Sequence, residues 1–195
     1  DDVRSRLRQG MSNFLGEIID LVRSNRIKWQ IVACGTRGRT FDDFCIALKT
    51  HPQAFNVLLV DSEEPLYLEH GLWEHLRRRD NWDIPKIAED HCHLMIRMME
   101  SWIVADVDSI AQFYGNRFNR NALPKNRNVE GIDKQTLTNA LKEATRNTQK
   151  GKYDKSHGWD LIGRIDADKA RKAAPSCERL FQILIAVIEG GDGKK

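Results

Sequence analysis

The chain has 195 residues, 41% hydrophobic and 30% charged, with a formal net charge of +3. That length and composition suit a globular domain with a core of its own. No apolar run approaches the roughly 20 residues of a membrane span, and the net charge is too small to announce nucleic-acid binding by itself.

Four scattered cysteines, Cys34, Cys45, Cys92 and Cys177, follow no metal-ligand spacing and point to a reducing cytoplasm. The chain opens on Asp1 rather than Met, so its start is expected upstream. Charge is unevenly spread. Basic residues crowd into 117–155, and acids gather near 61–69 and 100–108.

Residues 1–25 predict an amphipathic helix, because Leu7, Met11, Phe14, Leu15, Ile18, Ile19 and Val22 recur at helical spacing. "WQIVACG" (29–35) predicts a buried strand, and Thr40 a cap for a helix from Phe41 to Lys49. "NVLLVD" (56–61) predicts a second buried strand. The stretch 65–90 reads as a polar loop carrying Trp73 and Trp82, and "HCHLMIRMM" (91–99) as a third strand. A helix is expected over 100–115, stopped by Gly115, and another over 133–147. "QKGKYDKSHG" (149–158) reads as a basic loop. Helices are then expected over 159–165, after an Asp166 cap, and over 176–189, where Ser176 and Arg179 approximate a capping box; "GGDGKK" reads as a tail. This alternation implies an α/β fold with a central, mainly parallel sheet flanked by helices and a helical C-terminal part. Residues 1–130 form the expected α/β core, and 131–195 a helical part packed on it.

Ligands of such sheets bind at the carboxyl ends of the strands, which here carry Asp61, Glu63 and Glu100. Carboxylates gathered there repel one another unless a cation joins them, and hard oxygen donors suit Mg²⁺ or Mn²⁺. The same residues also read blandly: Asp61 in a turn, Glu63 and Glu64 solvated, Glu100 favourable at a helix N-terminus. In "KGKYDKSH", Lys150, Lys152, Lys155 and His157 are candidates to grip phosphate, or else form a mobile basic loop. Arg37 and Arg39, in "CGTRGRT", are candidate phosphate contacts or ordinary surface groups. His91 and His93 share a strand face, but no further ligand pair lies near them, so a core or edge histidine is the better reading.

"LLVDSEEP", followed by "HLMIRMMESWIVAD" and "KGKYDKSH", resembles a bacterial family of Toprim-like proteins, the one catalogued as domain of unknown function 4276, from about Ile31 to Leu184. The resemblance implies a Toprim-like fold and Mg²⁺-dependent (or Mn²⁺-dependent) cutting of DNA or RNA. It also implies an effector role in anti-phage defence beside an ATPase encoded nearby. A non-catalytic docking or sensing subunit of such an ATPase is the alternative. It places the metal at Asp61 and Glu63, where the family's D-x-D has a glutamate in second place, with Glu100 completing the set and Lys152 steadying the phosphate. Arg37, Arg39, Lys150, Lys155 and His157 would hold the nucleic-acid backbone. The family's opening glutamate lies in a strand just before the first helix, about where this sequence begins. A homo-oligomer is a further expectation.

Overall fold

The computed structural model describes residues 2–67 and 69–190. Helices α1 (Asp2–Phe14) and α2 (Gly16–Ser24) follow each other with one residue between them. Met11, Phe14, Leu15, Ile18 and Val22 are buried along the stripe that the sequence predicts.

The expected strand at 29–35 does not join a sheet. Among the described residues, no backbone hydrogen bond ties 29–34 to another segment, and Val32 is 61% exposed. An apolar run becomes a strand only where it exchanges backbone hydrogen bonds with a neighbouring edge, and among the described residues this one makes none. Helix α3 (Arg37–Thr50) starts earlier than expected, because Thr36 and not Thr40 caps it, accepting from the Arg39 N–H at 3.4 Å.

Strands β1 (Leu58–Asp61) and β2 (Cys92–Met95) pair in parallel, with Leu58 opposite Cys92 and Asp61 opposite Met95. The molecule is therefore mixed α/β, as expected, but its sheet is very small. Between the strands, the expected loop contains helix α4 (Leu72–Asp80), which buries Trp73, His75 and Leu76 and leaves Arg77 and Arg78 outside. Its charged face hides this amphipathic turn from a reading by polarity.

Side chains alternate across the two strands. Leu58, Val60, Cys92, Leu94 and Ile96 pack with Phe41, Phe44, Trp73 and Leu76 of α3 and α4. Val57, Leu59 and Met95 lie against the larger core on the other side. Helices thus cover both faces, as a parallel sheet requires.

The helix expected over 100–115 is two: α5 (Glu100–Ile103) and α6 (Val107–Tyr114). Asp106 caps α6, accepting from the Ser109 hydroxyl at 2.6 Å, and Gly115 ends it at φ +69°. Asp133 caps α7 (Lys134–Thr145). Asp154 caps α8 (Lys155–Leu161), so the expected basic loop stops at that residue and the next helix begins four residues early. Asp166 caps α9 (Ala167–Ala173), as expected. Helix α10 (Pro175–Gly190) closes the fold, but Ser176 and Arg179 do not form a capping box. Ser176 binds Glu130, while Arg179 reaches the Cys92 carbonyl at 2.9 Å. The expected tail, beyond Gly190, lies outside the described residues.

Phe14 stacks on Trp102 (centroids 5.7 Å apart) and meets Phe181 edge-on at 5.8 Å, so α1, α5 and α10 share one aromatic knot. Among the described residues, no helix is long and apolar enough to cross a membrane.

Candidate functional site

The carboxyl ends of the strands are pinned to each other. Beyond β1, the Ser62 N–H donates to the Met95 carbonyl at 2.8 Å and the Glu63 N–H to Arg97 at 3.0 Å. The Ser62 hydroxyl accepts from the Arg97 N–H at 2.6 Å. Glu63 and Arg97 both take positive φ, 66° and 64°. This local lock, unusual for side-chain-bearing residues, holds Asp61 and Glu63 near the start of α5.

A cavity of about 420 Å³ opens there. Its apolar wall includes Leu7, Met11 and Leu15 of α1, Ile31, Leu59 and Leu184; its polar end carries Asp61, Glu63, Glu100 and Lys155. Asp61 Oδ1 accepts the Met99 N–H at 2.8 Å. Burial first, then the charges of Glu100 and Glu63, push the Asp61 carboxyl up to about 7, against the opposing pull of Lys155. Glu100 is only 3% exposed and accepts the Tyr153 hydroxyl at 2.7 Å. Although burial raises its pKa, Glu63 is held below the usual carboxylate range by an ion pair with Lys134.

Asp61, Glu63 and Glu100 thus come together at one cavity end, with Lys155 beside them. Lys152 is exposed and does not line the cavity, whereas Lys155 does. Lys150 lies over the Phe113 ring at 4.7 Å, and His157 Nδ1 meets the Tyr114 hydroxyl at 2.7 Å. Arg37 borders the cavity but is paired with Asp80 at 2.6 Å and packed over Trp82. Arg39 is exposed and pairs along α3 with Asp43 at 3.7 Å. His93 hydrogen-bonds the Asp90 carbonyl and Arg179, and burial lowers its pKa to about 4. Sequence reasoning missed Tyr153 and Lys134. Only the aromatic residue inside "KGKYDKSH" hinted at the first, and nothing local signalled the second.

Among the described residues, no group of three or more His, Cys, Asp or Glu side chains stands close enough to hold a metal ion. Of the carboxylates at the cavity, Asp61 and Glu100 repel each other, while Glu63 is paired with Lys134. Two carboxylates with water and substrate phosphate are a normal Mg²⁺ environment.

No match was found among curated proteins or among solved structures. A family model does match, over residues 3–185, and by that match the chain belongs to the family described as domain of unknown function (DUF4276).

Proposed function

We propose that this is a Toprim-type nuclease effector that hydrolyses nucleic-acid phosphodiesters with Mg²⁺ (or Mn²⁺), working with an ATPase partner in bacterial anti-phage defence. The observation that carries the reading is the meeting of Asp61, Glu100 and Lys155 at one end of a cavity, with the Asp61 carboxyl near 7. Asp61 and Glu100 would hold the ion, which when bound activates water and polarises a phosphoryl oxygen. The Lys155 ammonium would meet the charge of the phosphate, the role that the resemblance implied for Lys152.

The test is cleavage of plasmid DNA, single-stranded DNA and transfer RNA by the full chain with Mg²⁺ or Mn²⁺, with and without the ATPase. Asp61→Ala and Lys155→Ala should each lose at least about 100-fold in rate, and the Asp61→Ala/Glu63→Ala protein should be inactive. A second reading, a non-catalytic docking or sensing subunit, draws support from Glu63, which is held by Lys134. ATPase binding with no cleavage under any of these conditions would establish it.

A further inference from the structure

Tyr153 belongs to the "KGKYDKSH" motif but has neither charge nor metal affinity to explain its place. Its ring is buried at 6% exposure, and its backbone N–H donates to the Thr145 hydroxyl of α7 at 2.7 Å. A phenylalanine would fill the same ring space. The hydroxyl is what needs explaining, because a buried polar group is costly unless bonded. It has one bond, to Glu100 Oε1 at 2.7 Å. The other oxygen of Glu100 has no hydrogen-bond partner among the described residues, and Glu100 lines the cavity.

Gly158, inside α8, supports the same contact. A Cβ added there would stand 2.7 Å from the Tyr153 hydroxyl and 3.2 Å from Met99 Cε. Helix α8 can therefore pass this close only with no side chain at that position, and its first residue, Lys155, borders the same cavity.

We propose that Tyr153 is a positioning residue: its hydroxyl fixes one oxygen of Glu100 so that the other is presented to a divalent cation beside Asp61, and Gly158 keeps the space this requires. The inference rests on the metal-binding part of the preceding reading and adds a residue to it. Groups that orient a metal-binding side chain typically change affinity by 10–100-fold when removed.

The experiment is Mn²⁺ titration of the full chain, followed by electron paramagnetic resonance of the free ion at a temperature where every variant is folded by circular dichroism. Tyr153→Phe should weaken Mn²⁺ binding by about tenfold, and Gly158→Ala should do the same. Glu100→Gln should weaken it at least as much, and adding Tyr153→Phe to Glu100→Gln should cost nothing further, since the two act as one unit. Wild-type affinity in folded Tyr153→Phe would overturn the proposal and leave the nuclease reading standing. Mn²⁺ binding with the expected variant pattern but without cleavage would sink the nuclease reading alone. No Mn²⁺ binding by the wild type would remove both.

Discussion

Asp61 concentrates the chemistry of this molecule in one carboxyl. Its pKa is raised from 3.8 to about 7, so the folded protein holds this proton more tightly than the unfolded chain does. The stabilisation from that proton is complete below pH 3.8 and is lost as pH rises through about 7. Asp61→Asn should therefore match the wild type near pH 4 and exceed it near pH 8, by about 1–3 kcal/mol in urea unfolding. A difference that does not change with pH would contradict the burial and repulsion argued for this group. His93 acts in the opposite sense. Its depressed pKa of about 4 means that stability falls as pH drops from 6.5 through that value, and His93→Gln should flatten that limb of the curve. Glu63 shows why neighbouring acids in a sequence need not share a role. Lys134, 71 positions away, pairs with it, while Asp61 has no such counter-ion in hydrogen-bond contact among the described residues.

At the scale of elements, the crossing of α1 and α8 depends on a glycine. A Cβ at Gly10 would lie 2.3 Å from the Trp159 carbonyl and 2.8 Å from Ile162. Gly10→Ala should gain about 1 kcal/mol of helix propensity and lose more to overpacking, for a net destabilisation of about 1–3 kcal/mol in thermal or urea melts. The segment 29–35 makes a different forecast. With no ladder partner for 29–34 among the described residues, its amides should exchange with solvent orders of magnitude faster than those of β1 and β2. Protection equal to the strands would mean that this edge is paired in solution. The helices over 2–24, 134–145 and 175–190 were legible in the sequence because each carries a long apolar stripe. Helix α4 was not, because Arg77, Arg78 and Arg79 dominate nine residues whose buried side is only Trp73, His75 and Leu76. The break between α5 and α6 was hidden for another reason: Asp106 looks like any acid until its hydrogen bonds to Ser109, Asp166 and Lys169 are seen.

For the molecule as a whole, one large core joins both ends of the chain. Phe14, Ile18, Trp102, Leu137, Leu141, Leu161 and Phe181 belong to a single buried cluster. The sequence-based boundary near 130 therefore runs through shared packing. A fragment of residues 131–190 should lack a cooperative thermal transition and near-ultraviolet dichroism, since its apolar faces lose Phe14 and Trp102. Trp102→Ala should destabilise the intact protein by about 3–5 kcal/mol, measured by urea unfolding, because the fully buried ring stacks on Phe14 and its indole N–H donates to Ser176 at 3.3 Å.

Local pattern alone determined the α/β class, the strand ending in Asp61, the cap at Asp166, and the position of acids where a strand gives way to a helix. These are properties of residues a few positions apart, and hydrophobic spacing and capping chemistry express them directly. Tertiary structure decided the rest. It left 29–34 without a ladder partner among the described residues, withdrew Glu63 to Lys134, brought Lys155 rather than Lys152 to the cavity, and joined Tyr153 to Glu100 across 53 positions. Those outcomes depend on which distant groups arrive at one place. Only the packed chain specifies that, because a hydrogen bond or an ion pair is set by distance in space and not by separation in sequence.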